Sequence, residues 1–183
     1  MTHPTINNGW NKFAKDISGQ TSFSSAGSFS FDNTFQIKTP SEIIKLVWAD
    51  QPEKNRGPFV NSKTFFYYNI GQPSKKDITI YKKDLLSNLL TIFKSSKIKT
   101  GDAVLDKQYL FFSKDKLLIG NLYNDFKVFN DKNEFKDFVI DTELIGMNKF
   151  LVIQVNSLLT DEKVLRQFYK LGLSISKELN GGV

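Results

Sequence analysis

From Ser28 to Lys38 apolar and polar residues alternate strictly: Phe29, Phe31, Phe35 and Ile37 share one face with Asn33, while Ser28, Ser30, Asp32, Thr34 and Gln36 take the other. A period of two is the pattern of a half-buried β-strand. Thr39-Pro40-Ser41-Glu42 has the spacing of a capping box, with proline at the first helical position. The apolar set Ile43, Ile44, Val47 and Trp48 then predicts a helix ending near Asp50, and Gln51 to Asn61 reads as an exposed loop.

Phe65 to Ile70 and Asp77 to Lys82 read as two short strands of a hairpin, joined by Gly71-Gln72-Pro73-Ser74. Asp84 can cap a helix with Leu85, Leu86, Leu89, Leu90 and Phe93 on one face. Leu105 to Phe112 is expected as a strand, with Tyr109 to Phe112 apolar enough for a sheet interior. A helix over about Asp115 to Asn130 follows, with Leu118, Leu122, Phe126 and Phe129 aligned and Gly120 and Asn124-Asp125 as weak points. Phe138, Ile140, Thr142 and Leu144 alternate with Asp137, Val139, Asp141 and Glu143, and Gly146-Met147-Asn148 turns this strand into Phe150 to Asn156. The last helix starts at Asp161 and carries Val164, Leu165, Phe168, Leu171, Gly172, Ile175 and Leu179 as its buried stripe, with Gly181 just past its end. The expected fold is α+β, a mainly antiparallel sheet with helices packed on one face and a C-terminal strand-helix-hairpin-helix unit.

Residues 1–27 read as an N-terminal appendage and linker, and residues 28–183 as a single α+β domain. Trp10, Phe13, Ala14 and Ile17 predict a short amphipathic helix over about Gly9 to Ser18, before a Ser/Gly/Thr-rich linker over Gly19 to Gly27. So short a helix is marginal alone, so it docks on its own domain, docks on a membrane or partner, or is disordered.

Composition narrows the function classes. There is no cysteine, and His3 is the only histidine. The side chains that most often carry nucleophilic, acid–base and transition-metal chemistry near neutral pH are therefore all but missing. No phosphate loop, dinucleotide fingerprint, zincin helix or nucleophile elbow occurs. With no signal-peptide layout and no apolar run long enough to span a bilayer, a soluble, cytoplasmic protein is the default expectation.

The net charge of +6 is concentrated: residues 75–99 hold seven lysines against Asp77 and Asp84. Lys75, Lys76, Lys82, Lys83, Lys94, Lys97 and Lys99 are therefore the candidate partner-binding residues. Only Arg56 and Arg166 are arginine, whereas base-edge and bidentate phosphate readers favour arginine, so nucleic acid is disfavoured. Phe65-Phe66-Tyr67-Tyr68 could stack bases, but on a strand only alternate rings share a face, and burial in the core is the stronger reading.

Thr100-Gly101-Asp102 precedes Asp106 and the apolar run from Tyr109: Gly101 permits a positive φ, and Asp102 can accept hydrogen bonds from the turn. This stretch resembles a recurrent pattern in uncharacterised bacterial α+β domains, a Thr-Gly-Asp turn before a central strand, and the likeness covers about Asp77 to Asn180. The resemblance implies a fold and carries no known activity. Asp102 and Asp106 as a pair for a hard cation would need further oxygen ligands, so they read as a structural turn. The functional expectation is a non-catalytic binding or accessory module, without cofactor or metal, engaging an acidic protein or anionic surface through the lysines of 75–99. The alternatives are an enzyme using only Asp/Glu, Lys or Tyr chemistry, and a structural component of a larger assembly.

Overall fold

A computed structural model describes residues 4–24, 32–49, 62–71, 76–83, 97–132 and 138–181. The expected loop over 51–61, the helix after Asp84, and the candidates Lys75 and Lys94 lie outside the described residues. The strands are β1 (Gln20–Ser24), β2 (Asp32–Lys38), β3 (Glu42–Ala49), β4 (Lys63–Gly71), β5 (Thr79–Lys82), β6 (Lys97–Ile98), β7 (Tyr109–Phe112), β8 (Phe138–Ile145) and β9 (Asn148–Val155). The helices among the described residues are α1 (Pro4–Asp16), α2 (Ala103–Gln108), α3 (Lys116–Lys132) and α4 (Glu162–Leu179). All nine strands join one sheet in the order β1-β2-β3-β4-β9-β8-β5-β7-β6, every pairing antiparallel. This is the expected α+β fold.

Cross-strand register puts Phe35, Ile44, Phe66, Ile153, Ile140, Ile80 and Phe111 on one face. That face meets three helices: Trp10 of α1 lies edge-on to Phe35, Phe168 of α4 edge-on to Phe66, and Phe126 of α3 edge-on to Phe111. Edge-to-face rings add an electrostatic preference to the apolar area they bury. The α3 stripe of Leu118, Leu122, Phe126 and Phe129 is buried as its period predicts, and so are Leu165, Phe168, Leu171 and Ile175 of α4. Asp161 caps α4, accepting from the backbone N–H of Lys163 at 2.7 Å and of Val164 at 3.1 Å.

Four expectations are corrected. Glu42–Ala49 is a strand, not a helix. Thr39 and Glu42 make one of the two bonds of a capping box, the Glu42 N–H donating to Thr39 Oγ1 at 3.0 Å, while the Glu42 carboxylate accepts from the Thr39 hydroxyl and not from its N–H. The Thr39 N–H also donates to the Glu42 carbonyl at 2.9 Å, so the bonds close the β2–β3 hairpin instead of starting a helix. β-Branched Ile43, Ile44 and Val47 fit a strand flanked on both sides, with Ile44, Leu46 and Trp48 turned to the core.

The expected hairpin of Phe65–Ile70 with Asp77–Lys82 does not form. The β8–β9 hairpin inserts between them, so β4 pairs with β9 and β5 with β8. The apolar run of β9 takes the centre, where both of its edges are paired. The strand expected from Leu105 is shorter, because Ala103–Gln108 is helical and only Tyr109–Phe112 is strand. Asp102 accounts for this by accepting from the first N–H groups of that helix.

Finally, the expected linker contains β1, paired with β2 over Gln20–Ser24. The helix before it starts earlier than expected and docks on its own sheet. Trp10, Phe13 and Ala14 are buried, and Trp10 Nε1 donates to the Leu159 carbonyl at 2.8 Å. On this evidence of packing, the N-terminal residues from α1 share the core of the rest of the chain.

Candidate functional site

The lysines singled out in 75–99 are not brought to one place. Lys76 lies before β5, and its Nζ donates to the Glu178 carbonyl at 2.9 Å, where the partial negative charge of the α4 C-terminus favours a cation. Lys82 and Lys83 lie at the opposite end of β5. Lys83 is tied on both counts: its N–H donates to the Gln108 carbonyl at 2.8 Å, and its Nζ donates to the Asp106 carbonyl. Lys97 pairs with Phe112, which also pairs with Thr79, so β6 runs level with β5 across β7. Lys97 and Lys99 are exposed on that flank.

The turn between β6 and β7 organises this flank. Gly101 has φ +86°, a conformation that a residue with a Cβ rarely adopts. Asp102 Oδ1 accepts from Val104 N–H at 2.8 Å and Leu105 N–H at 3.1 Å. Its Oδ2 accepts from the Tyr123 hydroxyl at 2.7 Å and from Lys127 Nζ at 3.1 Å, both on α3. The Tyr123 bond above all, with the Leu105 N–H and Lys127, holds the Asp102 carboxyl far below the usual carboxylate range.

Asp106 folds back on the same turn, accepting from the N–H and hydroxyl of Thr100 at 2.8 and 2.9 Å and from Gly101 N–H at 3.2 Å. Burial pushes this carboxyl up, but those bonds and the Lys83 charge outweigh it and the net shift is downward. Both oxygens of each acid are thus met by donors of the chain itself. The arrangement is a polar knot that fixes α2 between β6 and β7 and pins it to α3.

Sequence reasoning missed that α2 brings Lys107 and α3 brings Lys127 to this flank. The available signal was Asp102 as an N-cap, together with Tyr123 and Lys127 one turn apart on α3. Lys107 is exposed, as are Lys97 and Lys99, while the two aspartates point inward to the knot.

Other candidates are poorer in chemistry. A groove of about 330 Å³ between α3 and α4 is lined by Asp125, Val128, Phe129, Gln167, Lys170 and Leu171. Its single acid, Asp125, accepts from the Ser174 hydroxyl. Phe65 and Tyr67 share the face away from the helices, stacked at 5.6 Å, while Phe66 and Tyr68 face the core, as alternation requires. Burial first, and the Glu143 charge second, push the Tyr67 hydroxyl up, away from a role as a base near neutral pH. Among the described residues no group of three or more His, Asp or Glu side chains is placed to hold a metal ion, and no helix is long and apolar enough to cross a membrane. Comparison with family models, with curated proteins and with solved structures gives no match for this chain.

Proposed function

We propose that the chain is a non-catalytic binding module that meets an anionic partner through the flank built by β5, β6 and α2. The observation that carries this reading is the asymmetry of the polar knot. Asp102 and Asp106 are engaged inside it, whereas Lys97, Lys99 and Lys107 stand exposed around it. Lys83, Lys97, Lys99, Lys107 and Lys127 outnumber the two aspartates, so the surface projects a net positive field, and neither hydrogen-bonded carboxylate is free to serve as acid or base.

Lysine, a compact and strongly hydrated charge, suits long-range attraction to a polyanion better than bidentate readout. The test is elution from heparin. The wild-type chain should elute at higher salt than a Lys97→Gln/Lys99→Gln/Lys107→Gln variant, because the attraction is screened within about 8 Å at physiological ionic strength. Equal elution of the two proteins would remove the reading.

A further inference from the structure

The turn end of the β8–β9 hairpin carries a different kind of surface. β8 and β9 form a tight hairpin in which Ile145 pairs with Asn148, leaving Gly146 and Met147 as a two-residue turn. Gly146 has φ +62°, and Met147 is not among the residues with positive φ, which is the pattern of a type II′ turn. The neighbouring strand β5 stops pairing with β8 at Asp141. The Ile78 N–H reaches the Thr142 hydroxyl, and beyond that point Glu143, Leu144 and Ile145 have no β5 partner, while on the other side β4 follows β9 as far as Gly71 opposite Lys149. Only the Ile145–Asn148 pair and the turn between them extend beyond both neighbouring strands.

This turn end is apolar. Met147 is 91% exposed, Leu144 69% and Ile145 47%, and Leu117 at the start of α3 is 78% exposed. Asp77 links the two regions: its carboxylate pairs with Lys149, which lies opposite Leu144 one pair from the turn, and its carbonyl accepts from the Ser113 hydroxyl at 2.6 Å, just before α3. These four are half of the large exposed hydrophobic residues among the described residues, and they share one end of the molecule. Grouped exposure of this kind marks an interaction site.

The charge around the tip identifies the partner. Lys114 and Lys116 flank Leu117, Lys177 lies in the last turn of α4, and all three are exposed. The acids at this end are engaged: Asp77 with Lys149, Asp115 in capping α3 through the Leu117 N–H at 3.0 Å, and Glu178 with the Asn121 amide at 2.9 Å. Glu143 is the exception, exposed on the sheet face away from the helices. An exposed apolar tip of Leu, Ile and Met without Trp or Arg anchors lacks the make-up of a protein hot spot. It suits a soft apolar phase beneath anionic headgroups, where lysines keep their charge in the polar layer.

We propose that the β8–β9 tip, with Leu117, inserts into the interface of a bilayer containing anionic phospholipid, and that Lys114, Lys116 and Lys177 hold it there. This goes beyond binding at the lysine flank, whose Lys107 lies before the start of β7 while the tip lies beyond its end. The absence of cysteine makes the test clean, since one introduced thiol can be labelled uniquely. Met147→Cys and Val104→Cys, each labelled with an environment-sensitive fluorophore, place probes at the tip and on the flank; Val104 is 61% exposed, so neither change disturbs the core.

With vesicles of phosphatidylcholine and phosphatidylglycerol, the probe at 147 should shift to the blue and the probe at 104 should not. Leu144→Ser/Met147→Ser should lower partitioning by at least about tenfold while leaving heparin elution unchanged. An unshifted probe at 147, an equal shift at 104, or unchanged partitioning of the serine variant would overturn the proposal. Heparin has no apolar phase, so its result reports on the flank alone.

Discussion

At the β4–β9 seam in the middle of the sheet, Phe66 is fully buried under Phe168 and Tyr169 of α4, and Ile153 and Val155 beside it are equally inaccessible. At the β6–α2–β7 edge, two residues of strand and six of helix are held by Thr100, Asp102, Asp106, Lys83, Tyr123 and Lys127 through hydrogen bonds and one ion pair at 3.1 Å. The centre is held by area removed from water. The edge is too short to bury much area, so its geometry rests on polar side chains that match particular backbone groups. Hydrophobic burial is non-directional and tolerant of pH, whereas a knot of carboxylates depends on each donor and on ionisation. The two regions should therefore fail in different ways.

The largest effect should come from the centre. Phe168→Ala removes a fully buried ring that touches Phe66 and Phe129 and should cost about 3–5 kcal/mol in chemical denaturation. A loss under about 1 kcal/mol would mean that α4 is peripheral to the fold. Overfilling the same seam tests it from the other side. A Cβ on Gly172 would sit 2.5 Å from the Phe66 ring, so Gly172→Ala should cost about 1–3 kcal/mol although alanine is the better helix former. A stabilised Gly172→Ala protein would show that the helix can move away from the sheet at little cost.

The same contrast explains what the sequence disclosed. The β8, β9 and α4 patterns were legible because burial alone sets them: Phe138 and Ile140 alternate, and Leu165, Phe168, Leu171 and Ile175 recur at helical spacing. Glu42–Ala49 was misread because Ile43, Ile44, Val47 and Trp48 satisfy a helical period as well as a strand with two half-covered faces. The Glu42 N–H bond to Thr39 Oγ1 suits a helix cap and this hairpin turn alike, so long-range pairing with β2 and β4 decided the outcome. The alternation to Leu144 likewise predicted burial at a position that is exposed, since a period cannot say where β8 outruns β5. At the candidate site, the turn was legible from Gly101 and Asp102. The helix after it, and the contributions of Lys107, Tyr123 and Lys127, depend on contacts between distant segments that no local pattern records.

At the edge, single substitutions should cost less and act locally. Asp106→Asn keeps the shape of the side chain but weakens acceptance from the Thr100 and Gly101 donors. A loss of about 0.5–1.5 kcal/mol is expected, with amide exchange accelerating at Thr100 and Gly101 before it does in β4 or β9. Uniform acceleration across the sheet would show that the knot supports the whole fold and that the division drawn above is false.

The smallest effect at neutral pH is also the most selective. Asp102 and Asp106 both have folded-state values below those of an ordinary carboxylate. Each therefore contributes stability that is fully present above the unfolded value, near 4, and is lost as pH falls below it toward the folded value. Between about pH 6 and 8 neither group titrates in either state, so the knot should add no slope to stability there. Below about pH 4 the unfolded segment takes up protons that the folded carboxylates do not, which favours opening of the edge, and probes on the edge should respond before probes on the centre. Tyr109 beside α2 and Trp48 on β3 are natural reporters of the two regions. Acid titration of the Tyr123→Phe variant should move the edge transition to higher pH, because the first support of the Asp102 anion is gone, and leave the transition of the centre in place. Superimposable transitions in both proteins would show that the carboxylates do not hold the edge.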